Sequence, residues 1–284
     1  MTTRILALGP DDTTPRTATL DQLPGLLADP NSIVWVDLLD PGEPERKLLE
    51  EVFRLHPTSV EDMLADAPTP KMERFEKYLY VVWHALTPGW EKKGNFTLCD
   101  LDVMIGKNFL LTSHNASLPS IETAFVNVQT KAGAMRRGPA YCAYMIADVL
   151  TERFLPLMES LDRDIDALES NIIKDTAGAH FLETIFSLKD KLQRLRRVGV
   201  HQREVLARLS RGSERDGEFV PEEVRPFFRD AYDNFVRVVD LNDSFREIVN
   251  SSMDAYLSMQ GHKLNEIMKV LTLISTIMLP LTFI

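Results

Sequence analysis

The chain has 284 residues and a formal net charge of −10, which is length for about two domains and a balance that offers no basic surface to a nucleic-acid backbone. Its hydrophobic and charged fractions, 44% and 26%, are those of an ordinary folded protein. Cys99 and Cys142 form no CxxC pair, and the first ten residues read as lacking a secretory leader, so a reducing compartment is expected.

In chain order, Ile33 to Leu38 is β-branched and bounded by Pro30 and Pro41, which predicts a strand. Glu43 to Leu55 has helical spacing, with Leu48, Leu49, Val52 and Phe53 on one face. His56-Pro57 ends that helix, because the residue before proline avoids the helical region. Tyr78 to Leu86 reads as a second strand. Thr97 to Ile105 and Phe109 to Ser113 form a hairpin about Gly106-Lys-Asn108. Mixed elements of this kind predict an α/β layer domain over residues 1–138.

From Pro139 the pattern becomes helical. A first long helix is expected from about Tyr141 to Asp175 and a second from about Phe181 to Leu209, together an antiparallel pair over residues 139–220. On the first, Asp162, Asp166 and Glu169 share a face, which reads as solvated or as a surface that concentrates cations. A third helix opens at Pro221-Glu-Glu223, with proline and acids suited to a first turn, and meets no strong breaker before Pro280. One helix over residues 221–284 is a stalk of about 90 Å that needs neighbours.

The stalk carries two rows. Phe228, Tyr232, Phe235, Val239, Phe245, Ile248 and Val249 form an apolar face suited to packing. Asp254, Ser258, Gly261, Asn265, Met268, Leu271, Ser275, Leu279 and Thr282 recur at steps of three and four on another face, which is acidic, then small and polar, then apolar. Such a face fits an irregular packing seam or a wet axis, and the residues alone leave both open. The last fifteen residues, from Val270, carry no charge. A membrane crossing needs about 20 apolar residues, so this run reads either as the first part of a transmembrane helix or as a buried terminal helix. Lys263 and Lys269 flank it as the positive-inside rule asks of a cytoplasmic side. The sequence has no phosphate loop, no Gly-x-Ser-x-Gly and no His-Glu-x-x-His, so an enzyme is not expected.

Three ordered motifs carry a resemblance. They are His56-Pro-Thr-Ser-Val-Glu-Asp62 followed by Pro70-Lys-Met-Glu-Arg-Phe-Glu-Lys-Tyr78, then Phe228-Arg-Asp-Ala-Tyr-Asp233, then the tail from Asn265 to Ile284. The whole resembles the CorA family of divalent-cation transporters. The resemblance implies an α+β fold: an N-terminal α/β/α layer domain, then long helices, with a very long stalk helix continuing into the membrane. It implies a homopentamer in the plasma membrane, with residues up to about 268 cytoplasmic, carrying Mg2+ and also Co2+. The family's Gly-Met-Asn motif and second membrane helix are not in this sequence, so it is expected to be the cytoplasmic part with the start of the first membrane helix.

The resemblance further implies two sets of residues. Asp254, Asn265, Met268, Leu271, Leu279 and Thr282 fall where the family lines its pore. Asp62 and Asp230 fall where an aspartate of one subunit faces an aspartate of the next across a regulatory Mg2+. A non-conducting, membrane-tethered metal sensor or structural subunit of the same fold is the alternative reading.

Overall fold

The computed structural model describes residues 2–65, 69–90, 95–131, 133–174 and 181–281. Two compact units emerge: Met1–Met158 with Arg194–Leu241, and Glu159–Gln193 with Asn242–Ile284.

The first unit is built on a seven-stranded sheet of order β2-β1-β3-β7-β6-β5-β4. The strands are β1 (Thr2–Leu8), β2 (Arg16–Thr17), β3 (Ile33–Leu39), β4 (Lys71–Arg74), β5 (Tyr78–Leu86), β6 (Leu98–Gly106) and β7 (Phe109–His114). Only β3 and β7 among these pair in parallel. Side chains alternate between the faces of a strand, so Val34, Val36 and Leu38 join one core while Trp35 and Asp37 point the other way.

The first core gathers Tyr78, Tyr80, Val82, Met104 and Leu111 from the sheet with Leu23, Leu49, Phe53, Val60 and Met63. These last come from α1 (Leu23–Ala28), from the π-helical turn Leu48–Val52 that continues α2 (Glu43–Lys47) and from Phe53 at its end, and from α3 (Pro57–Met63). The helix expected over 43–55 therefore widens half-way. Phe53 N–H and Leu55 N–H reach back to the carbonyls of Leu48 and Leu49, at 3.1 and 3.0 Å.

Against the other face lie α4 (Pro119–Thr130) and α5 (Pro139–Glu152), completing an α/β/α stack. Asp37 is fully buried on that side between Arg4 (2.6 Å), His114 (3.1 Å) and Thr112 (2.6 Å). Burial opposes its charge, but hydrogen bonds from His114, Thr112 and Arg4 outweigh burial and hold its carboxyl below the usual range.

The helices follow the expected order with shifted ends. The first is interrupted at Arg153, giving α5 and α6 (Phe154–Ile173). Pro156 cannot donate to the Glu152 carbonyl, so the ladder breaks there. Asp175 lies outside the described residues. The second helix, α7, spans Phe181–Arg211. The third, α8, spans Arg225–Leu281 and begins four residues after Pro221, behind a turn closed by Val224 N–H on the Pro221 carbonyl. Pro226 has no N–H and is tolerated only at a helix start.

The packing row on α8 behaves as its spacing predicts. Within the first unit, Phe228, Phe235 and Val239 are buried, and the Phe235 ring meets that of Phe154 edge-on at 5.3 Å. Within the second unit, Phe245 and Val249 are buried, and Tyr256 lies 4.7 Å from Phe181, centroid to centroid.

Candidate functional site

The His-Pro motif is a clamp. His56 caps α3, and its ring Nδ1 accepts from the Thr58 N–H at 3.3 Å. Pro57 takes the first helical position, where its missing N–H costs nothing. The Tyr78 hydroxyl accepts the His56 N–H at 3.1 Å and lies 2.7 Å from Ser59 Oγ. The Tyr78 ring stacks on Phe75 at 4.9 Å, and the tight link from β4 to β5 is closed by Phe75 N–H on the Tyr78 carbonyl. Both ends of the motif, His56 and Tyr78, thus hold α3 against the β4–β5 hairpin. This fixes Asp62 on the last turn of α3, half-exposed, where it forms an ion pair with Lys71 of β4.

Lys71 also pairs with Glu73 at 3.0 Å and stands 5.3 Å from the centroid of the Tyr80 ring. Burial opposes its charge, but its bonds to Asp62 and Glu73 prevail and raise its pKa. Behind it, the Tyr80 hydroxyl donates to Asp102 at 2.5 Å. Burial pushes the Asp102 carboxyl up to about 7, with Asp100 and Asp62 acting in the same direction and Tyr80 and Lys71 against it. Asp102 borders a cavity of about 110 Å³ shared with Asp40, Asp100, His114 and Asn115.

Asp230 stands on the second turn of α8, exposed. An aromatic cluster sets its position: the Phe227 ring lies 5.2 Å from both Tyr141 and Tyr144, and Arg137 caps Tyr141 and Phe227 at 4.1 and 4.5 Å. This packing brings Asp230 near Asp148 and Glu152, one turn apart on α5. The Asp148 carboxyl is pushed up to about 6, first by burial, then by the charges of Glu152 and Asp230. Sequence reasoning missed Asp148 and Glu152, although two acids four residues apart on a helix are a readable like-charge pair.

Among the described residues of one chain, Asp62 pairs with Lys71 whereas Asp230 acts on Asp148 and Tyr144, so the fold places the two aspartates in separate surroundings. Among the described residues, no group of three or more histidines, cysteines or acids is placed to hold a metal ion. Asp254 and Asn265 on α8 are exposed, as are Met268 (62%), Leu271 (58%) and Leu279 (61%). So are Ile267, Val270, Ile274 and Ile277 on the helix's other sides. Thr282 lies outside the described residues. Among the described residues, no helix is long and apolar enough to cross a membrane.

Comparison with known proteins adds the family context. Residues 30–284 match the family described as CorA-like Mg2+ transporter protein. The cobalt/magnesium transport protein CorA of Thermotoga maritima is 32% identical over 82% of this chain and 66% of its own length. This chain therefore spans just under two thirds of that relative. The complete structure of the CorA magnesium transporter from Methanocaldococcus jannaschii superposes with a TM-score of 0.79 at 23% identity, covering 97% of this chain and 83% of that one. The full-length CmaX protein superposes with a TM-score of 0.84 at 16% identity, covering 100% and 84%. At these identities the superpositions speak for the fold alone.

Proposed function

This chain belongs to the CorA-like Mg2+ transporter family, a family of ion transporters and not of enzymes, and on that premise we propose that it is the regulatory and pore-entry part of a divalent-cation channel carrying Mg2+ and Co2+. The match over residues 30–284 is the observation that carries the reading. Five copies surround an axis, with the long α8 helices innermost and the layer domains on the cytoplasmic side.

Mg2+ prefers oxygen ligands and gives up its waters reluctantly. Polar groups at Asp254 and Asn265 would meet the hydrated ion, apolar rings at Met268, Leu271 and Leu279 would close the path by dewetting, and Thr282 would line the path with them. The apolar residues exposed on every side of α8 beyond Leu264 support burial of that end against lipid and sister helices.

Regulation is assigned to Asp62 of one subunit facing Asp230 of the next. Two carboxylates repel unless a cation lies between them, so a bound Mg2+ ties subunits together and favours the closed state. Loss of Mg2+ releases them, a population shift driven by the ion's preference for one state. Asp148 and Glu152 extend the negative charge around Asp230 and support the placement.

The test is limited proteolysis across a Mg2+ titration with Asp230→Ala. The reading expects protection by Mg2+ in the unmodified chain and its loss or a strong rightward shift in the variant. Unchanged protection would count against the site.

A further inference from the structure

Lys71 is held in an unusual place for a charged side chain. Its ammonium group pairs with Asp62 on α3 and, at 3.0 Å, with Glu73 two residues along the same strand. It also faces the Tyr80 ring, 5.3 Å from its centroid, within the range of a cation–π contact. The side chains of Asp62 and Glu73 are 42% and 46% exposed, so an ion arriving from water can reach either carboxylate. An ion binding at Asp62 meets a cation already in place.

We propose that Lys71 is a tethered competitor for the cation at Asp62, occupying that carboxylate when no divalent ion is bound and moving to Glu73 and Tyr80 when one arrives. The inference rests on the reading of Asp62 as half of a regulatory cation site. Two features of the geometry support it. Lys71 carries a compact charge on a flexible four-carbon stem, which permits a short swing without backbone movement. Glu73 and the Tyr80 ring already hold the ammonium from its other sides, so a displaced Lys71 is not left without countercharge.

Two properties of the site follow. A tethered ammonium is present at high effective concentration, so it raises the Mg2+ level at which the site fills. It also discriminates by charge. A monovalent ion offers Asp62 no more than Lys71 already supplies, whereas a divalent ion brings twice the charge to a site that a second carboxylate completes. Lys71 would therefore set both the threshold and the preference for divalent over monovalent ions.

The experiment uses the full chain, with MgCl2 or KCl as the probe and the midpoint of protection from limited proteolysis as the readout. Lys71→Met should lower the Mg2+ midpoint by about 2- to 5-fold, the range expected for removing one half-exposed ion pair, and should let K+ begin to protect. Lys71→Arg keeps the charge and should restore a midpoint near that of the unmodified chain. Glu73→Gln removes the alternative anchor and should raise the midpoint, which gives a second readout if Lys71→Met does not fold. A midpoint unmoved or raised in Lys71→Met, with the response lost in Asp62→Asn, overturns the competitor and leaves the Asp62 reading standing; if only Glu73→Gln can be measured, an unmoved midpoint overturns it likewise. A response unchanged in Asp62→Asn overturns both.

Discussion

The Tyr80 hydroxyl donates a 2.5 Å hydrogen bond to the buried carboxyl of Asp102, beneath the Lys71 ammonium that pairs with Asp62. The bond favours the charged carboxylate, yet burial prevails and pushes Asp102 up to about 7. The folded chain therefore holds a proton on Asp102 at pH values where the unfolded chain, with an ordinary value of 3.8, has lost it.

That difference gives a signed prediction. Between about pH 4 and pH 7 the folded state binds more protons at this position, so its stability falls as pH rises through that window. The contribution is fully present below the unfolded value and is lost above the folded one. Asp102→Asn keeps an acceptor for Tyr80 and cannot ionise, so it should flatten this part of the profile and leave the variant the more stable at pH 8. Urea denaturation at pH 5 and pH 8 checks it; an unchanged slope in the variant would exclude Asp102 as the source.

Asp37 gives the opposite sign. Its carboxyl is held below the usual range by His114, Thr112 and Arg4 against the cost of burial. The stability it contributes is present above the unfolded value of 3.8 and is lost as pH falls below it. Arg4→Met removes one partner from a fully buried charge and should destabilise by about 3 kcal/mol at pH 7, the scale for breaking a buried pair. The loss should shrink at pH 3. Parallel denaturation curves at the two pH values decide it.

Asp148 should report on Asp230 directly. Its carboxyl lies at about 6 because burial and the neighbouring charges of Glu152 and Asp230 disfavour ionisation. Asp230→Asn removes one of those charges, so the Asp148 value should fall towards the ordinary range while burial keeps it above. Carbon-detected NMR titration of the Asp148 side chain measures this, and a value that does not move would mean the two acids are not neighbours.

The β6–β7 hairpin depends on a missing side chain. A Cβ at Gly106 would lie 2.1 Å from the Phe109 ring, which is buried and packs on Phe53 at 5.3 Å. Gly106→Ala must displace that ring from the core and should cost about 1 to 3 kcal/mol, the range for overpacking. Thermal melting of the variant tests it, with Phe109→Leu as the change expected to relieve part of the strain.

The sheet was legible where burial is complete. Tyr78–Leu86 is expected and observed with the same bounds, because all nine residues are buried and a long β-branched and aromatic run has few alternatives. β4 went unseen because Lys71-Met-Glu-Arg74 is a short, charged edge strand, a composition that protects edges and hides them from pattern reading. The break at Arg153 was missed although Pro156 announces it. Asp62 and Asp230 drew attention only through the motif resemblance, since a lone aspartate has no signature of its own. The pairing of Lys71 with Asp62 needed the fold: the two are nine residues apart and meet only because Tyr78 pins α3 to the β4–β5 hairpin.

The central claim is that Asp62 of one subunit faces Asp230 of another across a divalent ion. The most direct measurement mixes chains carrying Asp62→Cys with chains carrying Asp230→Cys and treats them with a short thiol-to-thiol cross-linker; Cys99 and Cys142 are buried and serve as the background control. The account predicts cross-linked pairs containing one chain of each kind, formed in the mixture and not by either variant alone. A mixture that yields no such pairs, or yields them no more than the single variants do, would contradict it.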